Sequence, residues 1–502
     1  MTEVITKNLR ESTAARWTAL VFLAFAMFCA YIFMDILSPV KSILETTRGW
    51  DSTAFGTYAG SETFLNVFIF FLIFAGIILD KMGVRFTALL SGLVMITGAA
   101  INWYSVTEMF SGTSLENWFN NNLNYIPLFD ELGVSPFYRG MPASAKLASV
   151  GFMIFGCGVE MAGITVSRGI VKWFRGKEMA LAMGSEMALA RLGVASCMIL
   201  SPLIAKANIF GGANVSHSVA FGVLLLIIAF IMFIAYFFMD RKLDAQTHEA
   251  EDKDDPFKVS DIGKIFSSSG FWLVALLCVL YYSAIFPFQK YAVNMLQCNL
   301  GFSETQAGTV FAVFPLLAAA ITPFLGNFID KKGKAASMLM LGSTLLIVCH
   351  LTFAFILPLF RPEISVTGEV IGQASTGAVV LALTTILILG ASFSLVPASL
   401  WPSVPKLVDS KVIGSAYALI FWIQNIGLWL FPLLIGKILT SSNQVLINNP
   451  DIDDKFKPVL YDYTNPLIML ACLGAIALVL GFVLKIVDKK KGIGLELPNI
   501  KK

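Results

Sequence analysis

Two charged side chains stand where a lipid bilayer tolerates neither. The stretch 156–193 is a pair of apolar segments around a basic turn, Lys172-Trp173-Phe174-Arg175-Gly176-Lys177-Glu178. Glu160 precedes Val171, the expected end of the first segment, by about three helical turns. Arg191 follows Met179, the expected start of the second, by about the same number. On helices, both would sit roughly 16–18 Å from the same membrane face. That is near the middle of a hydrocarbon core about 30 Å thick. Ionisable groups at such depth are costly and mark functional sites by default. One reading is mutual neutralisation. The other is exchange into a zwitterionic solute, its amine to Glu160 and its carboxylate to the bidentate fork of Arg191.

Other polar groups fall inside apolar segments. Asp35 and Glu62 count to roughly 26 Å above the inner face, as outer-gate groups, proton carriers or the lining of a wetted vestibule. Tyr281, Tyr282, Gln424 and Asn425 count to mid-depth in the second half of the chain. They could hold a peptide backbone or make ordinary interhelical hydrogen bonds. Trp401 counts to the inner third, as a gate or a binding wall. Arg168, near an inner helix end, is expected to snorkel.

The elements that must position these groups are membrane helices. The chain has 502 residues, 57% hydrophobic and 14% charged, and a mean hydropathy of +0.75. Soluble domains carry about 25% charged residues. Twelve apolar spans are expected, at about 17–40, 54–79, 86–107, 146–171, 179–206, 217–239, 270–297, 304–329, 336–357, 377–405, 413–440 and 464–487. The fold class is an all-α membrane protein of two six-helix halves, residues 1–239 and 270–502, joined by a charged linker at 240–269. Roughly two thirds of the 36 lysines and arginines fall on the side of the termini, which places both termini in the cytoplasm. The first apolar run is too long for a cleavable signal. The seven cysteines and three histidines are scattered without metal or disulfide spacing, so no metal, cofactor or catalytic cluster is expected, and no nucleic acid partner.

The halves echo each other. Gly76 to Arg85 reads GIILDKMGVR after span 2, and Gly326 to Ala335 reads GNFIDKKGKA after span 8. With twelve spans and this repeat, the chain resembles the major facilitator superfamily. The resemblance implies an alternating-access transporter with a midplane site between its halves. It also implies gating roles for Asp80, Lys81 and Arg85, and for Asp330 and Lys331 in the second copy. A carboxylate of this loop facing a helix N-terminus would be favoured by the helix dipole.

Glu160 in GVEM, then WFRGKE, then Ala190-Arg191-Leu192-Gly193 are similar to the lysosomal dipeptide transporter branch of that superfamily. Span 7 (YYSAIFPF) and span 11 (IQNIGL) agree. The resemblance implies that Glu160 and Arg191 bind the two ends of a dipeptide, and by their depth Tyr281, Tyr282, Gln424 and Asn425 are candidates to hold its backbone. Two extended residues span at most roughly 7 Å, so such a site would measure length. The segment before the first span, up to Arg16, carries no acidic dileucine signal. A plasma (inner) membrane is therefore expected over a lysosomal one, and an accessory subunit is left open. Three alternatives stand beside the dipeptide reading: a proton-coupled organic-anion porter, a receptor or scaffold without transport, and an intramembrane enzyme, the last without any catalytic cluster to support it.

Overall fold

Water is absent from the bilayer core, so every backbone polar group there must be satisfied within the chain, and helices do this. The computed structural model describes residues 9–208, 212–247, 262–372, 374–408 and 412–498. Among these, twelve helices cross the membrane: α1 (Thr13–Met34), α2 (Ser52–Phe68, continued over 71–82), α3 (84–105), α4 (Ala143–Phe174), α5 (Met179–Lys206), α6 (Val215–Thr247), α7 (Ser269–Leu300), α8 (Glu304–Phe311, then Val313–Lys332), α9 (Ala335–Leu351), α10 (Thr376–Leu400), α11 (Ile413–Ser442) and α12 (Thr464–Lys491). The termini share one face, here the terminal face. The opposite, loop face carries the long connections 106–142 and 443–463.

The two echoed turns have a common cause. Gly83 and Gly333 both take the left-handed backbone, at φ 76° and 73°, which glycine alone adopts without strain. Each reverses the chain between two helices of its half. At Gly333 the space is also filled: a Cβ there would lie 2.5 Å from the Glu496 carbonyl oxygen. The C-terminal segment docks onto this turn, with the Lys334 and Ala335 amides donating to Glu496 and Leu495 at 3.1 Å.

α2 is broken inside the membrane. Phe70 sits at φ 55°, ψ 38°, an uncommon conformation for a bulky residue. The opposite half supports the break. Trp422 of α11 donates its indole N–H to the Val67 carbonyl at 2.9 Å and stacks on Phe70 at 5.3 Å. Trp422→Phe retains the stack and removes the donor, for an expected loss of about 1–3 kcal/mol. A melting temperature in detergent equal to wild type would show that this bond carries no stability.

Two seams of small residues join the halves. A Cβ on Gly56 would overlap the Pro432 carbonyl, and one on Gly60 the Trp429 carbonyl, so α2 and α11 touch backbone to backbone. α5 and α8 touch at Gly308, whose Cβ would overlap the Met198 carbonyl. Both seams belong to the loop-side part of the molecule. The helix α6 continues through Asp240 to Thr247, across the expected start of the linker. Asp240 is fully buried there and accepts from Trp173 at 2.8 Å and Lys172 at 2.7 Å, so its charge is matched inside the bundle. The rest of the expected linker, 248–261, lies outside the described residues.

Candidate functional site

Close helix contacts fix the helices around a group of mid-depth polar side chains, here called the chamber. A Cβ on Gly156 would overlap the Glu62 carbonyl oxygen, so α4 and α2 are in backbone contact one turn from Glu160. A Cβ on Gly193 would overlap the Phe28 carbonyl, so α5 and α1 touch just beyond Arg191. Tyr31 of α1 consequently lies within electrostatic range of Glu186, Glu160, Glu62 and Arg191.

Glu160 and Arg191 do not neutralise each other. Each meets a different, uncharged group of the other half. The Asn425 side chain of α11 is the polar group of the other half set against the Glu160 carboxylate. The Arg191 guanidinium lies 4.7 Å from the centre of the Phe393 ring of α10, a cation–π contact. Its buried Nη1 has no hydrogen-bond partner. Tyr282 of α7 stands in the same electrostatic neighbourhood.

The second half supplies an aromatic wall. Trp401 donates its indole N–H to the Tyr282 hydroxyl at 3.0 Å, accepts from the Tyr417 hydroxyl at 3.1 Å through its carbonyl, and stacks on Phe421. Phe286 packs edge-on against Phe393. Tyr281 turns instead into the core of its own half, its hydroxyl 2.5 Å from Ser392 Oγ. Gln424 accepts from the Cys278 thiol at 3.5 Å. The structure therefore brings Glu160, Arg191, Tyr282 and Asn425 to one chamber, while Tyr281 and Gln424 are occupied inside the second half.

Towards the loop face the chamber is closed by an ion triad that unites the halves. Lys290 of α7 lies 3.0 Å from Asp35 and 3.6 Å from Glu62. It also donates to the Met34 carbonyl at 2.7 Å. Gln289 donates to the second Asp35 oxygen at 2.6 Å, and Ser38 to the first at 3.3 Å. Asp35 is 1% exposed and Lys290 8%, whereas Glu160, Glu186 and Arg191 keep partial exposure. Beyond the triad, Ser42 contacts Gln297 and Glu304, Lys206 pairs with Glu304, and Tyr461 bonds Glu45. Lys290 and Glu186 are additions to the residues expected from the sequence. A signal for Lys290 is present there: Asp35 closes the first helix of one half about six turns in, and Lys290 lies about six turns into the first helix of the other.

At the terminal face the named ion pairs each lie within one half. Asp80 pairs with Arg168 of α4, so Arg168 is anchored by a carboxylate where snorkelling was expected. Arg85 pairs with Asp244 at 3.2 Å. Lys81 and Lys331 are exposed, and Asp330 is half-buried on the last turn of α8. The Lys177 ammonium, 2.9 Å from Glu11, holds that carboxyl below its ordinary range. Among the described residues no group of histidine, cysteine, aspartate and glutamate could hold a metal ion.

Known proteins share both the sequence pattern and the fold. A zebrafish (Danio rerio) protein named lysosomal dipeptide transporter MFSD1 is 26% identical over 433 residues, covering 84% of this chain and 80% of its own. Its human (Homo sapiens) namesake is 27% identical over 307 residues, covering 60% of this chain and 61% of the human one. Among solved structures, a nucleoside transporter NupG mutant superposes with a TM-score of 0.66 at 12% identity, covering 93% of this chain and 98% of that one. A D-xylose-proton symporter superposes at 0.62 and 13% identity, covering 94% and 98%. These likenesses show a shared twelve-helix fold and indicate a transporter rather than an enzyme. The relatives' lysosomal name does not favour the plasma (inner) membrane expected from the N-terminal segment. The Major Facilitator Superfamily model matches residues 23–432, through both halves of the fold. The chain belongs to the major facilitator superfamily and is a multi-pass membrane transporter.

Proposed function

We propose that this transporter carries dipeptides by alternating access, with the terminal face as its cytoplasmic side. The observation that carries this reading is the separation of Glu160 and Arg191. Two opposite charges share one chamber at mid-depth, yet each faces an uncharged group of the other half. A zwitterion would satisfy both at once, amine to Glu160 and carboxylate to Arg191, and would tie the first half to the second through Asn425 and the aromatic wall around Tyr282. The relatives named as dipeptide transporters support the substrate class.

Alternating access needs two closures. The Lys290–Asp35–Glu62 triad serves as the loop-side closure, formed in this state. The turn residues Asp80, Lys81 and Arg85, with Asp330, Lys331 and Trp401 in the second half, serve the terminal-side closure. In this reading Asp80 exchanges Arg168 for a partner in the other half when that side shuts.

The test is binding by the purified protein. Glu160→Gln and Arg191→Ala each remove a charge-assisted contact worth about 1.5–3 kcal/mol, roughly ten- to a hundredfold in affinity. Both variants should lose dipeptide-induced thermal stabilisation while melting cooperatively. Wild-type affinity in both would end the reading.

A further inference from the structure

The second half carries a basic cavity at its terminal face, far from the mid-depth chamber. Its volume is about 320 Å³, and its lining includes Ser268 and Ser269 at the start of α7, Lys406 just after α10, and Val487, Lys491 and Ile493 at the end of α12. Small-ligand sites run from roughly 300 to 1,000 Å³. One wall is fixed by a close contact: a Cβ on Gly270 would lie 2.6 Å from the Leu407 carbonyl oxygen, so α7 and the segment after α10 meet backbone to backbone. Another wall is the C-terminal segment, which docks on the Gly333 turn.

The two lysines of the lining meet uncharged acceptors. Lys406 donates to the Gly494 carbonyl and Lys491 to the Ser269 hydroxyl, each at 3.2 Å. The carboxylates of this region are engaged elsewhere. Asp488 accepts from the Gly494 and Leu495 amides at 2.8 and 2.9 Å. Glu496 accepts from the Ser337 amide and hydroxyl, both at 2.8 Å. The last two turns of α12 add Lys485, Lys489 and Lys490, so this end of the molecule is strongly positive. Its level is that of the lipid headgroups. Trp272, two residues beyond Gly270, is 38% exposed and donates its indole N–H to the Phe266 carbonyl at 2.8 Å. Tryptophan is enriched at that level of a membrane. Next to the lining residue Val487, Val483 and Ile486 expose apolar side chains on α12.

We propose that this cavity binds the phosphate group of an anionic phospholipid, with Lys406 and Lys491 as its cations and the Ser268 and Ser269 hydroxyls as donors. Ammonium groups serve phosphate as point charges. Each hydroxyl already accepts one bond, from the Phe271 amide and from Lys491, and keeps its own hydrogen to donate. Basic pockets between membrane helices take such headgroups. The apolar face beside Val487 suits acyl chains, which a free phosphate lacks. A bound headgroup ties α7, the segment after α10 and α12 together, and so stabilises the second half. The inference stands whatever solute the chamber carries.

Thermal unfolding of the full-length protein in detergent, titrated with phosphatidylglycerol, phosphatidylcholine or inorganic phosphate, tests it. The titrations are run at roughly 0.3 M salt, where attraction between distant charges is screened. Phosphatidylglycerol should raise the melting temperature of wild type saturably, and phosphatidylcholine should not match it. Lys406→Gln with Lys491→Gln should weaken the phosphatidylglycerol response about ten- to a hundredfold in concentration. Lys491→Gln alone, at an exposed helix end, gives a partial loss if the double variant does not fold. Lys489→Gln with Lys490→Gln removes the same charge from the same helix end outside the cavity and should change the response by less than about threefold. An equal loss in both double variants would mean diffuse surface attraction and overturns the site. So does a response to phosphatidylglycerol that no lysine of the cavity affects, or one that phosphatidylcholine equals. Inorganic phosphate separates the sources. No stabilisation by phosphate at the concentrations where the lipid saturates supports the phospholipid. Equal stabilisation by phosphate, lost with Lys406 and Lys491, keeps the phosphate site and overturns its assignment to lipid.

Discussion

Lys290→Met should open the loop face. In the present state this ammonium is the sole named cation between Asp35 and Glu62, and it closes α7 of one half onto α1 and α2 of the other. Removing one partner of a buried ion pair leaves charge uncompensated, at a cost of about 3–5 kcal/mol. That cost falls on the state in which the three groups are buried together. When the loop face opens, water reaches Asp35 and Glu62 and most of the penalty is relieved. The equilibrium between the two states should therefore move by about two to three decades. Labelling reads the shift: Ser42→Cys or Thr53→Cys, both at contacts between the halves, should react with a membrane-impermeant maleimide far faster in the Lys290→Met background. Cys472, the exposed native thiol among the described residues, is first replaced by serine. Neutralising the carboxylates as well, with Asp35→Asn and Glu62→Gln, should reverse much of the opening, because a buried ion cluster replaced as a whole is tolerated better than one broken in half. Labelling rates unchanged by Lys290→Met would remove the triad from the gate.

The sequence displayed what hydrophobic length and repetition can encode. Span counting located the membrane helices, because a bilayer leaves a helix little choice of length. The paired glycines of the two turns marked a real backbone requirement, since Gly83 and Gly333 both take a positive φ. Depth counting put Glu160 and Arg191 at the same height. It carries no information on azimuth, so it could not show that one faces Asn425 and the other Phe393. For the same reason Tyr281 and Tyr282, adjacent in sequence, counted alike, yet one turns into its own half and the other towards Arg191. Charges also misled where they were matched. Asp240 reads as the first residue of a polar linker, but its partners Trp173 and Lys172 make it a buried helical residue. The break in α2 was invisible because Phe70 is not a residue that signals left-handed backbone. The cause lies across the interface, in Trp422.

Blocking either end of a dipeptide should abolish its recognition. The proposed site offers one carboxylate and one guanidinium, carried by different helices. N-acetylation removes the substrate's ammonium and leaves Glu160 facing an amide. C-terminal amidation removes the carboxylate and leaves the buried Nη1 of Arg191 without an acceptor. A charge buried without its partner is expensive, so each block should cost several kcal/mol, on the order of a hundredfold or more in affinity. A free amino acid carries both charges on one carbon and cannot reach both groups, so it should bind weakly. A tripeptide adds a residue, and two residues already span up to roughly 7 Å, so it should fit only if the chamber widens. An organic-anion porter using Arg191 alone gives another order. There the carboxylate matters, the amine is superfluous, and N-acetylation is tolerated or improves binding. Competition between one labelled dipeptide and its N-acetyl, C-amide, doubly blocked and unblocked forms separates the two. If the N-acetyl form competes as well as its parent while the amide fails, Glu160 has no part in binding and the anion porter replaces the dipeptide carrier.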